Sequence, residues 1–288
     1  FPTVYLATDK NDVQPNEWFY VTWSGGEMSA GGGAAAFDSN ALDAASIRFG
    51  IDSTLSVSGG TVDFGPLWYS VRQQPVITFS FDDSNKTDIT LGKPILDRYG
   101  FRATTHTIRE QIGQTNYLTN DDLLKLYGAG WEIGVHGSYS HADTLLTEEA
   151  IMADLQFNLG IYSILGIPRS YCYAYPEGDY LPASIRALRA LKFKCAGNVH
   201  ATPKPIKYVN KLTYSRSGTS GKTLAALKLE VDAVIARGSQ LDFFTHGLYN
   251  VGGIHTDPAI FELFVEYVAE KVEAGLVEAG FTAGEYFI

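Results

Sequence analysis

The sequence predicts an α/β fold in which a distorted, closed or nearly closed (β/α) barrel follows a small β-rich N-terminal module. From residue 76 onward, apolar strand-like stretches alternate with helical stretches, which is typical of a parallel sheet. The chain has 288 residues, enough for one large domain with an accessory module. Polar residues come after several predicted strands, where barrels of this type carry their reactive groups.

Residues 1–70 differ in pattern from the rest of the chain. Short apolar stretches such as residues 18–21 lie between turn-rich segments such as residues 58–60. Residues 40–47 would suit a short helix, but no segment here has a convincing helical pattern. We interpret residues 1–70 as a β-rich accessory module and residues 71–288 as the main domain.

The predicted elements of the main domain alternate in type along the chain. Strands are predicted over residues 76–81, 101–108, 131–136, 171–175, 193–199 and 241–245. Helices are predicted over residues 91–99, from Thr119 to the Gly128/Gly130 pair, from Thr147 to Leu165, and over 182–191, 224–236 and 259–274. Thr119 and Thr147 are suitable N-caps, and Gly166 is a suitable helix stop.

Composition narrows the range of partners. The formal net charge of −10 gives the chain no electrostatic reason to bind nucleic acid or an anionic membrane, so neutral or cationic partners are expected. Aromatic residues make up 13%, which suits stacking on sugar rings and equally suits a large core. No apolar run is long enough to span a bilayer. The chain starts at Phe1, so we expect a processed or truncated product whose missing signal peptide carries no information.

The two cysteines, Cys172 and Cys195, are too few for a disulfide framework and lack the spacing of a zinc-thiolate site. They fall on neighbouring predicted strands, so one bridge is an alternative. Two buried free thiols are the expectation.

Adjacent carboxylates, Asp82 and Asp83, come directly after the first apolar strand. A single Asp in this place would be explained by a turn. Two carboxylates repel each other, and keeping both ionised in a cleft favours a bound cation. The pair therefore predicts metal binding or acid/base chemistry.

Three histidines also come after predicted strands. His136 and His141 lie on one short loop, and two imidazoles with one carboxylate form a three-ligand site that leaves a position open for water. His246 ends a nearly all-apolar strand, where it is either a buried hydrogen-bonding residue or a general acid. His106, His200 and His255 receive no assignment.

At these residues the chain resembles the polysaccharide deacetylase (NodB-homology) family, carbohydrate esterase family 4. The stretch 80–84, Ser-Phe-Asp-Asp-Ser, is similar to the family's Thr-Phe-Asp-Asp-Gly motif. The stretch from Glu132 through His141 resembles the paired-histidine motif, and the segments 141–145 and 147–149 fit the family pattern downstream of that motif. Residues 173–178 resemble the Phe-Ala-Tyr-Pro-x-Gly variant of the third motif, and Phe244-Thr245-His246 the late histidine motif.

The resemblance implies a NodB-type barrel and a set of roles for these residues. Asp82 would be the general base and His246 the general acid. Asp83, His136 and His141 would bind a divalent metal, with zinc expected and cobalt or nickel as alternatives. The substrate would be an acetylated polysaccharide, and the stretch Tyr175, Pro176 and Glu177 would bind the substrate and stabilise the oxyanion.

The sequence departs from the family pattern at several positions, and these departures leave the metal-ligand set and the activity undecided. Ser84 replaces a glycine, and the His136–His141 spacing is one residue longer than usual, so the loop must bulge to bring both rings to one ion. The motif arginine is absent, which makes Arg216 a candidate to orient Asp82. Two alternatives remain: a metal-independent amide or imide hydrolase on the same barrel, and a carbohydrate-binding or structural module that has lost activity.

The sequence says less about assembly, localisation and the exact glycan than about the reaction. An N-terminal module of this kind docks enzymes onto polymers or assemblies, so assembly through residues 1–70 is one expectation, and the oligomeric state stays open. We expect an extracellular, cell-envelope or virion-associated protein, for example a phage tail spike. N-acetylated and O-acetylated glycans require the same reactive centre, and the sequence does not separate them.

Overall fold

The protein is described by a computed structural model over residues 74–141, 144–145, 147–199, 204–205, 211–250 and 253–287. The predicted accessory module, residues 1–70, lies outside the described residues. Ala142, Asp143 and His200 lie outside them as well.

The described chain alternates strands and helices as the sequence predicts. The strands are β1 Val76–Phe81, β2 Thr104–Thr107, β3 Glu132–His136, β4 Cys172–Ala174, β5 Cys195–Gly197, β6 Lys204–Pro205, β7 Arg216–Gly218, β8 Ser239–Thr245 and β9 Glu278–Phe281. The helices are α1 Lys93–Asp97, α2 Asn120–Gly128, α3 Glu148–Leu165, α4 Pro182–Ala190, α5 Leu224–Arg237, α6 Pro258–Glu273 and α7 Ala283–Phe287.

Parallel pairing carries the sheet around a barrel. The hydrogen-bonded order runs β5-β4-β3-β2-β1-β8, and β7 joins the far side of β8. Tyr214, just before β7, bridges Gly197 of β5, so the ring returns to its first strand. One edge of β1 is shared, because β9 pairs with its first half and β2 with its last two residues. The predicted NodB-type barrel is confirmed.

Alternation along β1 separates two environments. Phe79 and Phe81 contact Phe261 of α6, so one face packs against the helical layer. Thr78 and Ser80 donate hydrogen bonds to Asp242 of β8, at 2.7 and 2.6 Å, on the barrel side. Because side chains alternate along a strand, Asp82 continues the polar interior row to the carboxyl end of the barrel.

Helix boundaries agree with the predicted capping signals. Thr119 and Asp122 form a reciprocal capping box at the start of α2. The Thr147 hydroxyl accepts a hydrogen bond from the Ala150 N–H at the start of α3, and Gly166 ends that helix in the left-handed conformation. These local signals place the ends of the two helices that flank β3.

Four short elements escaped prediction: β6, β7, β9 and α7. None is longer than five residues, which is too short for an apolar period to show. The turn that opens α7 closes the amino-terminal end of the barrel, because the N–H of Ala283 donates to Thr104 Oγ1 at 2.9 Å. The N–H of Gly284 donates to Glu132 Oε2 at 2.7 Å.

The expectation of two free thiols was wrong. Cys172 and Cys195 face each other in register on β4 and β5, with Cα atoms 4.8 Å apart, and form a disulfide bond. Strand assignments alone could not set this register, because a shift by one residue would turn one sulfur away from the other.

In the part of the chain that the structure describes, no helix combines the length and the apolar character that a membrane crossing requires.

Candidate active site

A cleft of about 430 Å³ opens at the carboxyl ends of the barrel strands. Its walls come from the loops after β1, β2, β3, β4, β5 and β8 and from β7. The predicted site residues that line it are Asp82, Asp83, His136, Tyr175, Pro176, Glu177, Arg216 and His246. His141 is the one predicted site residue that does not line it.

Asp82 is held as a carboxylate by Arg216. The guanidinium donates from Nη1 to Oδ1 and from Nη2 to Oδ2, both at 2.8 Å, and both side chains are 1% exposed. Burial alone would raise the pKa of Asp82, but the charge and hydrogen bonds of Arg216 lower it well below its ordinary value. The proposed orienting role of Arg216 therefore has the geometry it needs.

Arg216 itself fits between a glycine and an aromatic ring. A Cβ atom on Gly197 would lie 2.6 Å from Arg216 Nε, so only glycine leaves room for the guanidinium there. On another side, the guanidinium carbon lies 4.4 Å from the centroid of the Phe244 ring. These contacts fix the arginine in the orientation that presents both Nη groups to Asp82.

Backbone strain is concentrated around the cleft. Asp83, Ser84 and Glu177 all have positive φ angles, 68°, 58° and 59°. Left-handed backbone costs a non-glycine residue about 1 kcal/mol or more. At the first of these positions it turns the chain so that the Asp83 side chain, 25% exposed, faces the same cleft as Asp82.

His136 presents one ring nitrogen to the two carboxylates. Its Nδ1 lies 2.8 Å from the Gly137 carbonyl oxygen, which can only accept, so Nδ1 carries the proton. In the neutral form of the ring Nε2 then has a free lone pair, and it lies 3.8 Å from Asp83 Oδ1 and 3.9 Å from Asp82 Oδ2. A backbone-anchored imidazole with a free Nε2 is the usual form of a metal-ligating histidine.

His141 does not line the cleft. Its Nε2 lies 3.0 Å from the Tyr173 hydroxyl, and the two rings are stacked with centroids 5.7 Å apart. The residue is fully buried, and burial lowers the pKa of its imidazole to about 4. Among the residues that the structure describes, no three His, Cys, Asp or Glu side chains are grouped so as to hold a metal ion. The ligand role of His141 stays a prediction.

His246 lies on the opposite side of the cleft, after β8. Its ring contacts Phe244 edge-on at 5.4 Å, and its backbone carbonyl accepts hydrogen bonds from Asn85 Nδ2 at 2.6 Å and His255 Nδ1 at 3.2 Å. Its own Nδ1 is buried without a hydrogen-bond partner. The residue as a whole is half-buried and lines the cleft, so its ring is within reach of a bound substrate.

The turn after β4 supplies the wall facing Asp82. The Tyr175 N–H donates to the Gly197 carbonyl at 3.1 Å, and Pro176 has no N–H. Of the three predicted residues, Glu177 is therefore the remaining backbone donor. The Tyr175 ring is buried and its hydroxyl donates to the Leu212 carbonyl at 2.9 Å, so it packs in the core and does not form a sugar platform.

Several polar residues near the cleft were not assigned from the sequence. His106 lies inside the barrel opposite Gly134, fully buried, and burial lowers the pKa of its imidazole to about 3. Asp242 anchors the interior hydroxyls, and Asp154 and Asn158 of α3 contact the loop after β3. Each lies within a strand or helix, so only the placement of its neighbours reveals it.

A strand-end cleft lined by an ionised carboxylate, a second carboxylate and two imidazoles is typical of a hydrolytic barrel enzyme. Comparison with known families agrees. Residues 70–196 match the model of the polysaccharide deacetylase family. The match contains Asp82, Asp83, His136 and the 175–177 turn. No curated protein matches the chain.

Solved structures share the fold at low sequence identity. The peptidoglycan N-acetylglucosamine deacetylase Bc1960 has a TM-score of 0.54 and 15% identity, with 75% of this chain and 90% of that one covered. A mutant of BA3943, a family 4 pseudoenzyme with restored activity, has a TM-score of 0.52 and 14% identity. The match covers 79% of this chain and 72% of that one. The esterase domain of a xylanase from the Trinervitermes trinervoides hindgut metagenome has a TM-score of 0.50 and 13% identity. The match covers 75% of this chain and 90% of that domain.

Proposed function

We propose that the chain is a metal-dependent deacetylase that hydrolyses acetyl groups from a polysaccharide. The single observation that carries the proposal is the buried Asp82–Arg216 pair beside Asp83 and His136, at the strand ends of a polysaccharide deacetylase barrel. This arrangement keeps one carboxylate ionised and in hydrogen-bond reach of the cleft, as a general base requires.

Asp82 takes the proton of the attacking water. Its strongly lowered pKa makes it a weak base, so water activation by the carboxylate alone is inefficient. A divalent ion, when bound, supplies the missing Lewis-acid activation of water and of the acetyl oxygen. The low pKa of Asp82 thus supports a metal-dependent reaction.

Asp83 and His136 fit two ligand positions of such an ion, because a carboxylate oxygen and a free imidazole Nε2 lie 3.8 Å apart on one wall of the cleft. His141 does not fit in its present orientation. It would complete the three-ligand set after its bond to Tyr173 breaks and the loop turns. Zinc is the expected ion for this oxygen and nitrogen donor set, with cobalt or nickel as alternatives.

On the other side of the cleft, His246 protonates the departing amine or alkoxide. The Glu177 N–H stabilises the developing negative charge on the acetyl oxygen. Tyr139 is 49% exposed and Tyr249 is half-buried, so these two rings are available to stack on sugars, whereas Tyr175 and Tyr180 are buried. The substrate is a glycan that carries N- or O-linked acetyl groups, and it is neutral or cationic because the chain has a formal net charge of −10.

The disulfide supports a setting outside the reducing cytosol. Structural disulfides persist in secreted, periplasmic and virion proteins. We therefore propose that the chain works in the extracellular space, the cell envelope or a virion.

The orientation of His141 favours one second candidate, a carbohydrate-binding module whose catalytic site is impaired. In that case the cleft would bind glycan with only two metal ligands in place. Such a protein would bind acetylated glycans and release no acetate from them.

Acetate release from a panel of acetylated glycans tests the proposal. The panel pairs N-acetylated chitin fragments and peptidoglycan with O-acetylated xylan, each with and without chelator. We expect acetate from at least one glycan, lost with chelator and restored by zinc or cobalt. Binding without acetate release under every metal supports the impaired module, and chelator-resistant release supports a metal-independent hydrolase.

A further inference from the structure

Helix α3 carries two buried polar side chains on the face that it turns toward the cleft loops. Asp154 and Asn158 lie one helical turn apart and are 8% and 1% exposed. Polar groups are costly in such a place unless they are hydrogen-bonded. Their partners therefore show what this face of the helix does.

Asp154 holds the loop after β3. The backbone N–H of Ser138 donates to both carboxylate oxygens, at 3.2 and 3.1 Å. A Cβ atom on the preceding Gly137 would lie 3.1 Å from Asp154 Oδ2 and 2.3 Å from the Tyr173 hydroxyl, so the loop backbone packs directly against these groups. The carboxylate thus fixes the chain immediately after His136.

Asn158 joins this loop to the loop after β2. Its Nδ2 donates to Ser138 Oγ at 3.0 Å and to Asp154 Oδ1 at 3.2 Å. Its Oδ1 accepts from the backbone N–H of Arg109 at 3.0 Å. One amide group therefore bonds both loops at once, using its donor on one and its acceptor on the other.

The connection continues to the loop after β1. The N–H of Ile108, beside Arg109, donates to Ser84 Oγ at 3.0 Å, and Ser84 comes directly after Asp83. Hydrogen bonds thus link the residue after Asp83 to the residues after His136, with Asn158 and Asp154 between them.

We propose that Asp154 and Asn158 are positioning residues that fix the distance between the loop of Asp83 and the loop of His136. They touch neither carboxylate nor imidazole of the cleft and act through backbone amides and Ser138. The effect on turnover rests on the proposed function, whereas the effect on loop order does not.

Amide hydrogen exchange tests the proposal on the intact chain. Asn158→Ala removes the link between loops, and Asp154→Ala frees the Ser138 amide. Ile151→Val is the control for stability, since Ile151 is fully buried on the same helix and bonds neither loop, and Gln156→Ala is the exposed-face control. We expect the peptides spanning 108–112 and 137–141 to exchange roughly tenfold faster in the first two variants only.

Activity gives the second readout. Asn158→Ala is expected to lower kcat roughly tenfold to a hundredfold with KM little changed, because misplaced ligand loops affect the reaction more than substrate binding. If exchange in these peptides rises no more in Asn158→Ala than in an Ile151→Val protein of equal stability, the positioning role is overturned. If the wild-type chain releases no acetate, the proposed function fails, and hydrogen exchange still decides the positioning role.

Discussion

The two walls of the cleft differ in how completely they are built. On the β1–β7–β8 side, Asp82 and Arg216 are paired through two hydrogen bonds and fully buried. On the β3 side, His136 faces Asp83, but His141 is bonded to Tyr173 outside the cleft. The proposed base is therefore held in place, whereas only two of the three proposed metal ligands face each other. We call the two sides the base wall and the metal wall, after these proposed roles.

The difference has a physical origin. Asp82 and Arg216 lie on or beside strands whose register is set by backbone hydrogen bonds, so the barrel determines their positions. His141 lies at the end of a loop that is one residue longer than the family pattern. A loop position is set by the side-chain contacts that it finds, and a buried tyrosine hydroxyl is a strong competitor for an imidazole nitrogen.

The largest effect is expected on the base wall. Arg216→Met removes both guanidinium hydrogen bonds and the paired charge from the buried Asp82 carboxylate, which costs about 3–5 kcal/mol of unfolding free energy. Urea unfolding measures it. The control is Arg186→Met, which breaks an exposed pair with Glu148 and costs less than about 1 kcal/mol. Equal losses in the two variants would show that the Asp82–Arg216 pair is not what holds this wall.

A smaller effect is expected from His106, which lies inside the barrel beneath Asp82. Because the pKa of its imidazole is about 3 in the fold and 6.5 is its ordinary value, His106 stays neutral in the fold while the unfolded chain takes up a proton. The stabilisation that the neutral His106 gives the fold is present above about pH 6.5 and is lost as the pH falls toward about 3. Relative to His106→Gln, the wild type should lose about 1.4 kcal/mol per pH unit between about pH 6 and about pH 4.

Unfolding titrations of both proteins across that range give the slopes directly. Parallel slopes would mean that His106 is protonated in the fold, and that the barrel beneath the base is wetter than its burial indicates.

The smallest effect concerns the metal wall. Tyr173→Phe removes the hydroxyl that competes with a metal ion for His141 Nε2. Zinc should then bind about fivefold more tightly, because that factor corresponds to the net free energy of one hydrogen bond. Calorimetric titration with zinc measures this affinity. Tyr175→Phe is the matched control, because its ring also contacts His141 while its hydroxyl bonds Leu212. Weaker binding in Tyr173→Phe alone would show that this bond supports the metal site.

The sequence predicted the barrel and the position of Asp82 at its carboxyl end, because both depend on local patterns. The apolar run before Asp82 identified β1, and the rule that barrel sites lie at strand ends placed His136 and His246 at one cleft. The pairing of Arg216 with Asp82 was expected only as a candidate, since it depends on a three-residue strand and on the space left by Gly197.

Other features depend on tertiary placement and could not be predicted. The orientation of His141 is decided by Tyr173, which comes 32 residues later. Asp154 and Asn158 occur in an ordinary helical sequence, and only the loops packed against α3 give them partners. The disulfide required the register of β4 against β5, which short apolar stretches leave open.

Metal content and turnover, measured together in Asp82→Asn and Asp83→Asn, test the account most directly. Asp82→Asn should retain its zinc and lose acetate release by about a thousandfold, because a general base contributes on that order. Asp83→Asn should lose both the ion and the activity. If Asp82→Asn also loses its metal, or still releases acetate at the wild-type rate, then the roles assigned to these two carboxylates are wrong.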